Sequence, residues 1–450
     1  MMLQAPRALS RWHRKYGDRF TVRLGPLGKY VFLADPEDIK TVFHGDDTVF
    51  HAGEANAKLL ERVLGESSVL VTDENVHLRQ HRRLAGPFHG ESVARLAPLM
   101  AEIAAGEIET WPVGSEFSLW PSLRAIALDV ILRTVIGTSD EGRLIEERQA
   151  LTAILELNPL RIMQFLKPAL SNYWPWSRYR RIEQRADALL YQEIESCMGD
   201  PNLAERRDVL AMLVRQREAD GQAMTAGEIR DQLITLLLAG HETTATALAW
   251  TFERIVRHPA VMARATEAAR VGDSAYLDAV ITETLRVRPI ISDVNRRLTH
   301  EIRLGPYMLP PGTSVDPAII LVQRSPRHYP DPLRFDPQRF VGSRPDQTIW
   351  LPFGGGNRRC LGAAFALTEM RVVLTEVLSR VELATTTARD ERPRARLVTM
   401  TPHAGARVTV LRRLTSATRA RGPESVAGSE VDITPEHAPD PRGEESAQRL

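Results

Sequence analysis

The segment that most constrains the fold is a glycine-rich loop that ends in a single cysteine, Phe353-Gly354-Gly355-Gly356-Asn357-Arg358-Arg359-Cys360-Leu361-Gly362. Its three consecutive glycines allow positive φ angles and let the backbone approach a flat object closely. From Leu361 to Arg380 apolar residues recur at helical spacing, so the pattern predicts a helix directly after the loop. The fold must therefore hold Cys360 beside a helix N-terminus.

The position of Cys360 indicates that its thiol binds a metal ion. A helix N-terminus favours an anion, and Arg358 and Arg359 add positive charge, so we predict a lowered thiol pKa and a thiolate. One thiolate is a poor zinc site, because structural zinc takes four protein ligands. A thiolate beside a flat, glycine-lined space instead fits an iron that is held mainly by haem. A buried structural cysteine after a glycine turn is the alternative.

These ten residues resemble the haem-binding signature of the cytochrome P-450 family, Phe-Gly-x-Gly-x-Arg-x-Cys-x-Gly. Every defined place is filled, by Phe353, Gly354, Gly356, Arg358, Cys360 and Gly362. The resemblance implies a mostly α-helical fold with small β-sheets (α+β), a single haem-binding domain and the soluble, bacterial type of the family. It also implies that Cys360 is the axial ligand of the iron of haem b (iron protoporphyrin IX), and that Phe353, Arg358 and Gly362 help to bind this cofactor.

The net charge and the number of cysteines limit the binding partners and the cellular compartment that the sequence supports. The formal net charge is +1, so nothing suggests a nucleic-acid partner. The two cysteines, Cys197 and Cys360, exclude a disulfide framework if Cys360 is a ligand, and they favour a reducing, cytoplasmic location. We interpret Cys197 as a structural thiol on a helix. The first thirty residues hold no apolar run of the roughly 18 to 20 residues that a membrane span needs, so we expect no membrane anchor.

The resemblance runs from about Trp12 to Arg412, and we predict one domain over residues 1–414. The segment from Trp12 to Asp18 resembles the first helix of the family, which relatives usually precede with further residues, so a truncated or misassigned start stays open. Residues 415–450 contain no Phe, Trp or Tyr, and we predict a disordered tail. Before the tail, residues 396–401 and 408–412 are predicted to pair as a closing hairpin.

The longest helical pattern runs from Met224 to His258, which is 35 residues or roughly 50 Å. Thr225 and Glu228 have the spacing of a capping box. In mid-span, the segment Gly240-His241-Glu242-Thr243-Thr244 interrupts an apolar helix with groups that are costly to bury, and such conflicts usually mark function. The segment resembles the oxygen-binding motif of the family. The resemblance implies Glu242 as the catalytic acid, Thr243 as the catalytic alcohol, and Ala239 and Gly240 beside the haem.

A basic helix carries His77 and His81 four residues apart, and therefore on one face. In the family a Trp or His and, four residues on, an Arg bind a haem propionate. His77 matches this pattern, whereas His81 replaces the usual Arg and is a weaker cation. By the same resemblance Arg296 contacts a propionate. The neighbouring Arg79, Arg82 and Arg83 are either a solvated face or a docking surface for an acidic electron donor, and both readings stay open.

Two further segments carry structural and substrate-binding expectations. Glu283 and Arg286 have the i,i+3 spacing of an ion pair, for which a surface salt bridge is the common explanation. The family instead buries this pair and completes it with a distant arginine, here Arg339, in a structural role. By resemblance Ile290, Ile291 and Val294 line the substrate pocket. Asp293 either binds a polar group of the substrate or caps a turn.

The resemblance implies a haem-thiolate monooxygenase that hydroxylates or epoxidises a lipophilic small molecule with dioxygen and two external electrons. The chain shows no flavin, nucleotide or iron–sulfur motif, so a ferredoxin and its NAD(P)H-dependent reductase are the implied partners, and a monomer is expected. Two alternatives stay open. One is a peroxide-driven hydroxylase, although such relatives tend to lack the acid–alcohol pair. The other is a catalytically silent haem-binding or sensor protein, which the replacement at His81 leaves possible.

Overall fold

The computed structural model of the chain describes residues 6–23, 28–88, 90–155, 163, 168–216, 222–396 and 398–414. The predicted disordered tail at 415–450 lies outside these residues. In the described part the α-helices are α1 (Pro6–Tyr16), α2 (Pro36–His44), α3 (Gly53–Leu64), α4 (Glu74–Ala85), α5 (Gly90–Ala94), α6 (Ala97–Ile108), α7 (Trp120–Ile131), α8 (Glu141–Leu155), α9 (Trp176–Met198), α10 (Val209–Arg215), α11 (Ala226–Ile255), α12 (Pro259–Val271), α13 (Ser274–Val287), α14 (Ile319–Gln323) and α15 (Ala363–Arg380). The strands are β1 (Arg19–Arg23), β2 (Lys29–Leu33), β3 (Phe50–His51), β4 (Glu116–Ser118), β5 (Arg296–Leu298), β6 (Ile302–Leu304), β7 (Tyr307–Leu309), β8 (Ser314–Pro317), β9 (Val381–Ala384), β10 (Pro393–Arg396), β11 (Thr399–Pro402) and β12 (Arg407–Arg413).

Helix α11 is the centre of the helical part of the molecule. It begins with the predicted capping box, in which the Thr225 hydroxyl accepts from the Glu228 amide and the Glu228 carboxylate accepts from the Thr225 amide. It packs against α7, α9, α13 and α15, and its second half, from Thr244 to Ile255, is buried on all sides. A helix that is covered on every side acts as a rigid support for groups along it.

A small sheet in the order β1-β2-β8-β5-β3 lies beside the helices. Strands β1 and β2 form its antiparallel edge pair, with Phe20 opposite Phe32. Strand β8 then pairs with β2 in parallel and with β5 antiparallel, which positions the chain between α13 and β5 over the helical core. The fold is therefore mostly helical with small sheets, as predicted.

The predicted closing hairpin is wrong. Strand β11 pairs with β10, at residues 393–396, and β12 lies between β4 and β9. The partners of β12 are far away in sequence. The alternation of apolar residues at 408–412 therefore predicted a strand but could not indicate the strands with which it pairs. The strand β4, at Glu116–Ser118, was not predicted, because three residues carry too little pattern.

The loop that precedes Cys360 is fixed by close backbone contacts. Gly354 and Gly356 have φ angles of +68° and +62°. A Cβ atom on Gly356 would lie 1.7 Å from the carbonyl oxygen of Phe43 in α2, so no side chain fits there. The Cys360 amide donates to the Phe353 carbonyl at 2.9 Å, and α15 begins at Ala363, two residues later than predicted. The loop is thus clamped between α2 and the start of α15.

Among the described residues, none of the helices combines the length and the apolar character that crossing a lipid bilayer requires.

The clamp predicts a large cost for a side chain at position 356. We expect Gly356→Ala to lower the free energy of unfolding by about 2 kcal/mol or more relative to Gly342→Ala, measured by urea denaturation. Gly342 is the matched control, because it also has positive φ, +71°, but open space around its Cα. Both variants strain the backbone, and only Gly356→Ala must displace the Phe43 carbonyl. Equal losses in the two variants would contradict this explanation.

Candidate functional site

The surroundings of Cys360 combine accessibility with burial. Its side chain is exposed, yet protein atoms surround the thiol, and this burial raises its pKa. A group that is accessible and at the same time enclosed faces a space inside the molecule. The predicted direction of the thiol pKa shift is therefore wrong for the protein alone. The Gly362 amide and Arg359 do lower the pKa, but the loss of hydration outweighs them.

Arg358 does not act on the thiol in the way that the sequence suggested. Its guanidinium donates to the Thr72 carbonyl at 2.7 Å and to Oδ1 of Asp73 at 2.5 Å. It also reaches the Val69 carbonyl at 3.3 Å. Arg358 therefore ties the Cys360 loop to the segment that leads into α4. Phe353 contributes apolar surface, and its ring packs edge-on against Trp350.

The middle of α11 presents an open strip to the interior. Ala239 is exposed, and Leu236, Gly240 and Thr243 are half-buried, although the helix is surrounded by other elements. The spacing of these four residues puts them on one face. The Thr243 hydroxyl donates to the Ala239 carbonyl at 2.6 Å. Helix α15, which begins three residues after Cys360, packs against α11.

The glycine at position 240 and the histidine at position 241 are explained by the close packing around this turn of α11. A Cβ atom on Gly240 would lie 2.2 Å from Cδ1 of Ile131, so the glycine permits the close approach of α7. His241 is buried and its Nδ1 lies 2.8 Å from the Leu237 carbonyl. Burial lowers the pKa of His241 to about 4, so this ring is neutral near pH 7.

Glu242 forms an ion pair that the sequence did not reveal. Its Oε1 lies 3.2 Å from Nε of Arg396 and accepts a hydrogen bond from the Thr399 hydroxyl at 3.3 Å. The Arg396 guanidinium in turn lies over the Trp120 ring, 4.7 Å from its centroid. Strands β10 and β11 therefore position the carboxylate. No sequence signal marked Arg396, because its partner is more than 150 residues away along the chain.

A cluster of cationic and imidazole groups surrounds His77. The rings of His77 and His81 are 5.6 Å apart, as the i,i+4 spacing predicted. His77 is buried, and its Nδ1 has no hydrogen-bond partner among the described residues. Burial, followed by the charges of Arg358, His81 and Arg296, lowers the pKa of His77 to about 3. Burial and the charge of Arg358 also lower the pKa of Arg296 to about 10. Such a cluster favours an anionic ligand.

The segment expected to line a substrate pocket runs between α13 and β5. Ile290 is buried, and Ile291 and Val294 are half-buried. The Ile290 carbonyl accepts from the Met400 amide at 2.8 Å, which links the segment to β11. Asp293 is half-buried and accepts a hydrogen bond from the Ser292 hydroxyl at 2.5 Å, and burial raises its pKa. Arg297, the residue after Arg296 on β5, points away toward Glu54. This is expected, because neighbouring side chains on a strand point to opposite faces of the sheet.

The three charges assigned to structure lie together. Arg286 donates to both carboxylate oxygens of Glu283, at 2.6 and 2.8 Å, and neither side chain is exposed. Nε of Arg339 lies 3.6 Å from Oε1 of the same carboxylate. Arg286 also donates to three backbone carbonyls, of Gln323, Pro332 and Arg334. The pair is therefore buried, and the surface salt bridge is excluded.

These observations fit a haem. The Cys360 thiol would supply a ligand for the iron, the open strip of α11 would leave room for a flat ring, and the cluster around His77 would suit carboxylate groups at the edge of the ring. Gly362 adds open space, because a Cβ atom there would contact no other atom within 4 Å.

Comparison with known proteins agrees with this assignment. The family model described as cytochrome P450 matches residues 4–409. A Mycobacterium tuberculosis protein named cytochrome P450 135B1 is 51% identical over 416 residues, which are 91% of this chain and 88% of that protein. Another protein of that organism, named cytochrome P450 138, is 39% identical over 90% of this chain and 92% of its own length.

Solved structures show the same fold. The retinoic acid-bound cyanobacterial CYP120A1 matches with a TM-score of 0.78 and 24% identity, over 92% of this chain and 96% of that one. A mutant heme domain of cytochrome P450DA matches with a TM-score of 0.79 and 20% identity, over 92% of this chain and 94% of that one. The chain belongs to the cytochrome P450 family, whose members are in general haem-thiolate monooxygenases.

Proposed function

We propose that this chain uses dioxygen and two externally supplied electrons to hydroxylate or epoxidise a lipophilic small molecule. The observation that carries the proposal is the Cys360 thiol, which is accessible and yet enclosed, in a molecule whose central helix turns an open strip inward. In this proposal Cys360 is the axial ligand. When bound, haem b supplies the activation of dioxygen, which protein side chains alone do not provide.

The residues around the cavity hold and shape the cofactor. His77, His81 and Arg296 bind the propionate groups, because they offer N–H donors and positive charge in a buried place. Phe353, Arg358 and Gly362 keep the thiol loop in position on one face of the ring. Ala239 would leave room for the ring along the open strip, and Gly240, beside it, lets α7 pack closely against α11. Glu283, Arg286 and Arg339 stabilise the fold that retains the haem, and they take no part in the chemistry.

Thr243 and Glu242 handle protons on the open side of the cavity. The Thr243 hydroxyl donates to a helix carbonyl, and by rotation it can donate into the cavity instead. Glu242 is held by Arg396 and Thr399, on the side of the molecule formed by β10 and β11. Glu242 thus links strands β10 and β11 to the open strip on α11. The acid–alcohol pair favours the dioxygen reaction over the peroxide-driven alternative.

The apolar side chains of Ile290, Ile291 and Val294 suit a lipophilic substrate, such as a fatty acid, a terpenoid, a sterol or a polyketide. The accessible carboxyl of Asp293 can bind a hydrogen-bond donor of that substrate. We assign the haem-binding domain to residues 1–414 and expect a cytoplasmic monomer. A ferredoxin and its NAD(P)H-dependent reductase supply the electrons, with the exposed Arg79 and Arg82 as the docking surface for the ferredoxin. Arg83 does not belong to this surface, because its side chain is only 9% exposed and lies 3.8 Å from Glu228.

The reaction class is tested with isotopically labelled dioxygen. We expect the haem-loaded protein, with a surrogate ferredoxin, its reductase and NADPH, to place one labelled oxygen atom in a lipophilic compound that shifts its Soret band to the high-spin position. Product formed only with hydrogen peroxide would favour the peroxide-driven alternative. No product under either condition, in a protein that retains haem, would favour the silent haem-binding alternative.

The proton-handling roles predict a loss of coupling. We expect Thr243→Ala and Glu242→Gln to lower product formed per NADPH consumed by at least about tenfold, because the protons for dioxygen reduction arrive without control. Thr244→Ala is the control, since the Thr244 side chain is buried outside the open strip. Unchanged coupling in both test variants would show that these residues do not handle protons.

The propionate assignment predicts weaker haem retention. Removing the N–H donors of His77 while keeping a ring, as in His77→Phe, should raise the rate of haem transfer to apomyoglobin by roughly tenfold. His300→Phe is the control, because this histidine is exposed on a loop. If the two variants lose haem at the same rate, His77 does not bind a propionate.

A further inference from the structure

A second, much smaller cavity lies outside the proposed haem site. It is lined by Arg288 and Arg324, by the ring of Trp250, and by Pro393 and Met400 from the β10–β11 hairpin. Its volume is about 10 Å³, which is room for a single occupant of the size of a water molecule. None of these side chains was assigned above to haem, oxygen or substrate.

Arg324 is the unusual member of the lining. It donates to the Val287 carbonyl at 2.5 Å, but it forms no ion pair with a carboxylate of the described residues. Its Nε is buried and has no hydrogen-bond acceptor in the same part of the chain. Burial, and then the positive charges of Arg288, Arg286 and Arg254, lower its pKa to about 9.

The neighbouring arginines have anionic partners, and Arg324 is the exception among them. Arg286 pairs with Glu283, Arg254 with Glu253, and Arg288 with Asp390. These pairs leave the charge of Arg324 without a compensating carboxylate among the residues that the structure describes. Nε of Arg288 is also buried without an acceptor in the described part of the chain. Two guanidinium groups with unused N–H donors therefore border one small space.

We propose that this cavity binds one small monovalent anion, such as chloride. The N–H groups of Arg288 and Arg324 donate to it, and the apolar sides of Trp250, Pro393 and Met400 shield it from water. A water molecule would accept the same hydrogen bonds but would leave the charge of Arg324 uncompensated. A monatomic ion satisfies both the donors and the charge.

The bound anion also acts on the position of Glu242. Pro393 and Met400 border the anion cavity on β10 and β11. The same two strands carry Arg396 and Thr399, which hold the Glu242 carboxylate. Met400 is fixed further, because its carbonyl accepts from the Trp250 indole at 2.6 Å. The anion therefore fastens the hairpin to the ends of α13 and α14, and through the hairpin it stabilises the Glu242–Arg396 pair.

Thermal unfolding of the haem-loaded protein tests the proposal. At constant ionic strength, replacing sodium gluconate with sodium chloride should raise the Tm of the wild-type protein by about 2 °C. Arg324→Gln should lose this chloride-specific rise. Arg327→Gln is the matched control, because its side chain is 74% exposed, and it should keep the rise. General effects of the salts on the protein surface are common to all three proteins.

A crystallographic measurement covers the case in which Arg324→Gln does not fold. Crystals of the wild-type protein soaked in bromide should show an anomalous peak between Arg288 and Arg324. Equal Tm values of the wild-type protein in the two salts, or no peak at this place, would overturn the proposal and assign the cavity to water. A chloride-specific rise that persists in Arg324→Gln would also overturn it. None of these outcomes depends on monooxygenase activity.

Discussion

The contact between Gly356 and the Phe43 carbonyl fixes the place of the Cys360 thiol, on which the site depends. A backbone loop that touches another backbone segment cannot move without breaking that contact, and here both neighbours of the loop are helices. The position of the thiol is unfavourable for its thiolate form, because burial disfavours the charged state. Binding to a metal ion would reverse this preference, since a metal favours the thiolate. The loop thus holds a reactive group in an unfavourable environment that a cofactor can correct.

The same balance between burial and charge recurs across the molecule. His77 is held neutral beside two arginines, and the Glu283–Arg286 pair is buried with nearly every donor of Arg286 satisfied. In the first arrangement Nδ1 of His77 has no hydrogen-bond partner among the described residues, so the cluster suits a ligand. The second is complete within the protein and suits a structural role. Arg324, which no carboxylate in the described part of the chain compensates, belongs with the first group.

Features set by neighbours in sequence could be predicted, and features set by distant contacts could not. The capping box of α11 and the shared face of His77 and His81 are local, and both are present. The neighbours of β12 and the Arg396 partner of Glu242 come from far along the chain, and no local pattern signals them. The thiol pKa was mispredicted for the same reason. The two arginines that favour a lower pKa are visible in the motif, whereas the burial that raises the pKa depends on the whole fold.

The most direct test of the central claim, that Cys360 ligates haem iron as a thiolate, is the absorption spectrum of the purified protein after reduction and exposure to carbon monoxide. The account predicts a strongly red-shifted Soret band, which Cys360→Ser abolishes and Cys197→Ala retains, because Cys197 is buried on a helix away from the loop. A Soret band at the position of histidine-ligated haem in the wild-type protein, or a red-shifted band that survives Cys360→Ser, would contradict it.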